Sequence, residues 1–221
     1  VQAWIRRWQP DVLALQECPG EHELAELRVD YDVLGAAGAH VGYVHLYVRR
    51  GLNFTVQVPD DGGALPCVVA RGVVDGVECL VAAVHLAPER TDRSKSTRRG
   101  QVSAVMKTMQ AQAQVQALVP MGDLNLDESE AKDLCDGHAL RDADYAQMSW
   151  NPVSSQYYGP DHGYTGPGFR FDRVFFSGAA WAHAFLVGHE WKFEGGEKFR
   201  LSDHYGVFAV LDWHVAYAAS T

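Results

Sequence analysis

The chain alternates short apolar runs with polar connectors, and the runs come in two periods. Val1, Trp4, Ile5 and Trp8 recur at helical spacing, and Pro10 stops that helix. Val12-Leu13-Ala14-Leu15-Gln16-Glu17 follows, an apolar run of strand length that closes on a carboxylate. Strand-like stretches come next at 31–36, 43–49 and 52–58. Asp75-Gly76, set between Val74 and Val77, is a two-residue hairpin signal, so 66–74 and 77–86 are expected to pair as a β-hairpin. The second half of that hairpin, CLVAAVHL, is apolar enough for a strand buried on both faces. The polar stretch APERTDRSKSTRRG then leads into a helix expected to reach about Ala117. Leu118-Val119-Pro120-Met121 reads as a short strand despite its proline, and runs into Gly122-Asp123-Leu124-Asn125. An acidic helix or turn is expected near 128–135, and a long ordered loop over 151–168, which is rich in Gly, Pro, Ser and Tyr. The last strands are expected at 169–177, 182–188 and 205–213. With no repeat and no linker in between, one mixed α/β domain over 1–221 is the economical reading.

Composition narrows the class. A chain of 221 residues with 47% hydrophobic and 21% charged residues is no disordered tail, collagen repeat or coiled coil. No apolar stretch approaches the roughly 18 residues of a membrane span, and charge and Trp interrupt the opening stretch too early for a signal peptide. The net charge of −9 argues against a broad basic surface for wrapping nucleic acid. It leaves room for a local patch, and the densest is Arg90, Arg93, Lys95, Arg98 and Arg99. Cys18, Cys67, Cys79 and Cys135 form no CxxC pair, which argues against a thiolate zinc site. The hairpin register sets Cys79 opposite Gly72 and Cys67 opposite Val84, so these two are not a disulfide. Free thiols point to an intracellular, reducing compartment, nucleus or cytoplasm.

The polar residues with chemistry recur at the ends of apolar strands, the usual address of active sites in α/β folds. Glu17 ends LALQE, His85 lies near the end of LVAAVHL, and Asp123 and Asn125 follow ALVPM. Asp203 and His204 open the last strand. Asp172 lies among Phe171, Val174 and Phe175, where a carboxylate costs several kcal/mol unless it is partnered. Alternation sends its neighbour Arg173 to the other face, so a histidine or a metal elsewhere is implied. Asp123-x-Asn125-x-Asp127 imitates the start of a calcium-binding loop. However, Glu128 stands where Gly is needed and Leu134 where Glu is needed.

In this order and at these spacings, QPDVLALQE, VHL, GDLN, SW, FDRVFF and SDH resemble the endonuclease/exonuclease/phosphatase superfamily of divalent-metal phosphodiesterases. The matching segments run from about residue 9 to 208. The resemblance implies a four-layer α/β sandwich, two packed mixed sheets flanked by helices. It also implies roles. Glu17 would ligate Mg²⁺ (or Mn²⁺), with Asp203 beside the metal. Asp123 would orient or deprotonate the attacking water, and Asn125 would contact the phosphate or the nucleophile. His204 would stabilise charge on the phosphoryl oxygen, with Asp172 holding its other nitrogen. His85 would reach the scissile phosphate. The superfamily carries an Asn-bearing strand upstream of the first helix, and this sequence opens at that helix, so the domain is expected to lack its first strand.

Within the superfamily, the segments around SWN, FRFDRVFF and LSDHYGV are similar to the tyrosyl-DNA phosphodiesterase type 2 branch. That likeness implies hydrolysis of a phosphodiester at a DNA 5′ end, as in DNA repair. Trp150 and Phe171 would wall the terminal nucleotide, and Arg98 with its basic neighbours would track the phosphate backbone. The chain departs from the branch at Asp127-Glu128, where a basic residue is usual. Other superfamily substrates are the alternative: an abasic site, RNA, sphingomyelin or an inositol phosphate. A family-fold binding module without catalysis is a further one. A monomer is expected.

Overall fold

The computed structural model describes residues 2–18, 21–37, 43–57, 65, 67–88, 91–111, 115–143, 145–150, 168–188, 192–194, 197–199, 202 and 204–213. In chain order these form α1 (Gln2–Trp8), β1 (Val12–Cys18), a 3-10 helix (Glu21–Val29), β2 (Tyr31–Ala37), β3 (Tyr43–Arg49) and β4 (Phe54–Gln57). Then come β5 (Cys67–Val74), β6 (Val77–His85), α2 (Asp92–Ala111), β7 (Ala117–Asp123), α3 (Glu128–His138) and β8 (Arg141–Asp142). The last are β9 (Asp172–Phe176), β10 (Trp181–Val187), β11 (Lys192–Glu194), β12 (Glu197–Phe199) and β13 (Gly206–Asp212).

The larger sheet grows from the Asp75-Gly76 turn. Both residues have positive φ, 50° and 80°, which is what a hairpin turn matched to strand twist requires. The turn fixes the β5–β6 register, and Gly72 faces Cys79 while Cys67 faces Val84. Cys67, Cys79 and Cys135 are free thiols. The six-stranded sheet runs β4-β5-β6-β7-β9-β8. Among the described residues only β6 and β7 pair in parallel, and α2 is their crossover. Pro120 is tolerated inside β7 because the register with β9 starts only at Met121. A second sheet runs β1-β3-β2, and β10 pairs with β13. Among the described residues β1 pairs only with β3, and β13 only with β10.

Alternation along β5 and β6 divides the packing. Val69, Leu80, Ala82 and Val84 face α2 and α3, meeting Val105, Met106, Met109, Ala131 and Leu134. Val68, Ala70, Val81 and Ala83 face the other way, onto Val44 and Leu46 of β3 and Ala184 and Leu186 of β10. A buried Leu or Val side chain of this kind contributes about 2 kcal/mol. On the far side, Ile5 of α1 and Leu27 of the 3-10 helix cover Tyr31 and Tyr47. Helices, sheet, sheet, helices: the architecture is the four-layer α/β sandwich.

Some expectations are corrected. The second helix starts at Asp92, inside the polar stretch, where Thr91 Oγ1 accepts the Ser94 amide as an N-cap. It ends at Ala111 rather than Ala117. Ala117 opens β7 because it is in register with Cys79, and Gln116 N donates to Glu78 O. Phe169 does not begin a strand. It makes an isolated bridge to Trp150, and β9 starts at Asp172. The 3-10 helix and the β11–β12 hairpin carry too little periodicity to be anticipated. The loop expected over 151–168 lies almost wholly outside the described residues. Among the described residues no helix is long and apolar enough to cross a membrane.

Candidate active site

Three neighbouring strands deliver one polar residue each to the same edge. His85 ends β6, Asp123 ends β7, and the two are paired in the parallel register. Asp172 opens the antiparallel β9 and is paired with Asp123. Residues opposite one another across a sheet share a face, so the row His85, Asp123, Asp172 projects together. Glu17 reaches the row from the other sheet. It sits at a bulge where the β1–β3 register slips between Leu15 and Cys18, with φ of 53°. A bulge of this kind re-aims a side chain. The Glu17 carboxylate is 63% exposed, and its Oε1 lies 3.9 Å from His85 Nε2.

Asp123 is the centre of the cluster. Its Oδ2 lies 3.6 Å from His85 Nε2 and 4.0 Å from His204 Nε2. Its Oδ1 accepts the Asn125 amide at 3.0 Å. Burial, then the charge of Asp172, push its pKa up to about 7; His204 and the Asn125 amide pull the other way. Burial is also the main influence on His85 and lowers its pKa, against the attraction of Glu17. A neutral His85 therefore stands between Glu17 and Asp123.

His204 is held from behind. Its Nδ1 meets Asp172 Oδ2 at 2.7 Å, which leaves Nε2 turned toward Asp123. This is the partner that the half-buried carboxylate of β9 demanded. Arg173 does turn to the opposite face, where it binds Asp142 and, at 2.7 Å, Glu128. Ser149 fastens the segment beside the site, with its Oγ accepting the amides of Phe171 and Asp172, both at 3.0 Å. Tyr205 N then donates to Ser149 O at 2.7 Å. The result is an aromatic wall next to His204. Phe169 stacks on Phe171 with centroids 5.0 Å apart, and Trp150 lies 5.5 Å from Phe171 and 6.5 Å from His204.

Asn125 sits at φ 51°, buried, with Nδ2 donating to the Leu86 carbonyl at 3.1 Å. Gly122 precedes Asp123 at φ 131°, and a Cβ there would lie 2.2 Å from Val84 O and 2.7 Å from Gln16 Nε2. Only glycine allows β6, β7 and Gln16 to approach so closely.

The structure thus gathers Glu17, His85, Asp123, Asn125, Asp172 and His204 at one edge, with Trp150 and Phe171 beside them. Asp203, expected beside the metal, lies outside the described residues. Arg98 is elsewhere. Expected to track phosphate, it is fully buried, with its guanidinium on Glu130. A cation so enclosed presents no charge to a ligand. Lys95 of the same basic run is bound to Asp127 at 2.9 Å. Sequence reasoning did not assign roles to Ser149, Phe169, Gln16 or Gly122. The adjoining SW and FRFD segments were the available signal for the first two. Nothing in the sequence marked Gln16 beyond its place before Glu17.

The donor set fits a hard divalent cation. Carboxylate oxygens of Glu17 and Asp123 face a common nitrogen, that of a histidine which burial drives toward neutrality. Oxygen ligands with access to water suit Mg²⁺ or Mn²⁺. Asp123, Asp172 and His204 also offer ligand atoms within 4.8 Å of one another. In that trio, however, Asp172 and His204 are already joined by their 2.7 Å contact. Glu17 stands apart from that trio, across the His85 ring from Asp123.

The family model for the Endonuclease/Exonuclease/phosphatase family matches residues 1–204, and the chain belongs to that family. It has the family's phosphodiesterase/phosphatase fold, and the family's members are hydrolases. Among solved structures it is similar to a truncated TDP2 from Caenorhabditis elegans, at 22% identity and a TM-score of 0.72, covering 94% of this chain and 87% of that one. It is also similar to the D. rerio TDP2 complexed with single strand DNA product, at 18% identity and TM-score 0.69, covering 95% and 88%. A mannosyl-6-phosphatase from Bacteroides thetaiotaomicron matches at 18% identity and TM-score 0.64, covering 95% and 88%. No curated protein matches the chain by sequence.

Proposed function

We propose that this protein is a Mg²⁺-dependent phosphodiesterase that hydrolyses an ester at a DNA 5′ end, in the manner of the tyrosyl-DNA phosphodiesterase type 2 branch. The observation that carries the chemistry is the convergence on Asp123 Oδ2 of His85 Nε2 at 3.6 Å and His204 Nε2 at 4.0 Å, with Glu17 alongside. Two anions, phosphate and carboxylate, do not approach one another unaided. Mg²⁺ held by Glu17, with Asp203 as a further candidate ligand, supplies positive charge to the phosphate oxygens when bound. The chain's own groups do the rest. Asp123 orients the attacking water and takes its proton. Its pKa of about 7 is suited to a base near neutral pH. His204 donates from Nε2 to a phosphoryl oxygen, and the Asp172 carboxylate 2.7 Å from Nδ1 fixes the orientation of the ring that does so. Asn125 and His85 complete the polar lining.

The wall of Trp150, Phe169 and Phe171 supports the DNA-end reading. It can stack an unpaired base without reading sequence, and it stands beside His204. The likeness to a TDP2 complexed with single strand DNA product supports it as well. That Cys67, Cys79 and Cys135 form no disulfide supports a reducing compartment, nucleus or cytoplasm. Cys79, with its pKa pushed up to about 12 by burial, is chemically quiet there. We place the protein at work as a monomer.

The test is a substrate panel run with the full-length protein: a 5′-phosphotyrosyl oligonucleotide, an abasic duplex, a sphingomyelin analogue and a chromogenic aryl phosphodiester. The tyrosyl oligonucleotide should be cleaved with Mg²⁺ and not in EDTA. Equal rates in EDTA would sink the metal-dependent reading. Turnover of another substrate with the tyrosyl one untouched would overturn the DNA-end assignment and leave the chemistry standing.

A further inference from the structure

Behind the Asp123–Asp127 loop lies an ion pair that the reaction itself does not require. Arg98 of α2 and Glu130 of α3 have side chains only 0% and 5% exposed. The guanidinium spans both carboxylate oxygens, with Nε to Oε1 at 3.1 Å and Nη2 to Oε2 at 3.0 Å. Its Nη1 donates to the Ala87 carbonyl at 3.0 Å. One turn further along α2, Gln101 Oε1 accepts the Ala87 amide at 3.0 Å. Helix α2 therefore grips Ala87 by both of its backbone groups. Glu130 faces two ways: its Oε2 also accepts the Asp127 amide at 3.1 Å, while Asp127 caps α3 through Oδ1.

The residue before Ala87 is the one that the site leans on. Leu86 O receives Asn125 Nδ2 at 3.1 Å, and Leu86 N donates to Asp123 O at 3.0 Å. Asn125 is itself at φ 51°, a conformation that costs a non-glycine residue energy and persists only where its surroundings hold it. Burying two opposite charges is a poor route to stability, since apolar replacements are often as stable or more so. What the pair does give is a fixed geometry on two main-chain segments at once, 86–87 and 127–130. Those segments bracket Asp123 and Asn125.

We propose that Arg98 and Glu130 are positioning residues. Their buried pair clamps Leu86-Ala87 against the start of α3 and so holds the Asn125 amide and the Asp123 carboxylate in working register. This rests on the phosphodiesterase reading of the site. Neither residue touches substrate; both act through Asn125.

The experiment is a cycle between Arg98→Met/Glu130→Leu and Asn125→Ala in the full-length protein, read by kcat, KM, melting and amide hydrogen exchange. The apolar pair removes the clamp without stranding a charge. It should lower kcat by about 10- to 100-fold, with KM changed less than about twofold, as expected for misplacing a group by an ångström or less. Added to Asn125→Ala, it should cost almost nothing further, because both changes remove the same function. The amides of Leu86 and Asn125 should exchange at least about tenfold faster, with Ala82 in β6 unchanged. Should the apolar pair fail to fold, Arg98→Lys reads the same function. It keeps the charge but cannot span all three acceptors, and should lose about three- to tenfold in kcat. A folded variant with kcat intact, or losses that multiply with Asn125→Ala, would overturn the positioning role. If the wild type hydrolyses no phosphodiester, the functional reading is what fails. Exchange at Leu86 and Asn125 still decides the clamp in that case, and unchanged exchange overturns it.

Discussion

Asp123→Asn swaps a buried carboxyl for a neutral group of the same shape. Asp123 is held at a pKa of about 7, against an ordinary 3.8, chiefly by burial and by the charge of Asp172. The folded protein therefore binds this proton more tightly than the unfolded chain does. Stability from this group is fully present below about pH 4 and is lost as pH rises toward 7. Above pH 7 the folded state carries an ionised, desolvated carboxylate at a cost of about 4 kcal/mol. The asparagine variant escapes that cost. It keeps an acceptor for the Asn125 amide, now bonded at 3.0 Å. Without metal, its melting temperature should match wild type near pH 4 and exceed it by about 10 °C at pH 8, as an upper figure for a chain of this size. Melts by circular dichroism across pH 4–8 in EDTA test this. Added Mg²⁺ should narrow the gap, because a neighbouring ionised Asp123 attracts the cation more strongly than an asparagine does. The same variant should lose at least about 100-fold in kcat, since it cannot take the proton from water. An offset in melting temperature that is the same at pH 4 and pH 8, or a variant less stable than wild type at pH 8, would refute the argument.

Asp172→Asn should fold normally and lower kcat by about 10- to 100-fold, since His204 keeps its neighbour but loses the carboxylate 2.7 Å away. Unchanged melting beside the lowered kcat would show that ring orientation, not folding, is what was lost. Trp150→Ala should raise KM for an oligonucleotide substrate by about 5- to 100-fold, the worth of one base–aromatic stack. It should leave a small aryl phosphodiester nearly unaffected, and steady-state kinetics on both substrates separate the two effects. Gly122→Ala should destabilise the protein by more than about 3 kcal/mol, because its methyl would lie 2.2 Å from Val84 O at a φ of 131°. Denaturant unfolding measures this directly.

Much of the site was legible in the sequence because its residues stand at strand ends, and apolar runs announce where strands end. Glu17, His85, Asp123 and His204 could be picked out for that reason. Asp172 was legible through its cost: a carboxylate inside FRFDRVFF needs a partner, and His204 is 2.7 Å away. The Asp75-Gly76 turn gave the β5–β6 register outright, because a two-residue turn leaves no freedom in the pairing. Arg98 was misread because a cation in a polar stretch looks solvated. Its burial depends on Glu130, 32 residues away, and charge pairs across such a distance leave no periodic trace. The start of α2 was misplaced for a similar reason, since one cap by Thr91 outweighed a run of polar residues. Gln16 and Gly122 were missed because their importance lies in a close approach between two sheets, which is a tertiary fact.

The contributors to this site span nearly the whole chain, from Glu17 of β1 to His204 just before β13. That spread sets the order of events in folding. The β5–β6 hairpin closes on itself and can form in microseconds. The β6–β7 pairing must wait for the α2 crossover, and the Asp172–His204 contact for the segment between them. Contacts so distant in sequence are slow to close, because loop entropy is lost before they form. Secondary structure should therefore return early in refolding, and hydrolysis only in the last and slowest phase.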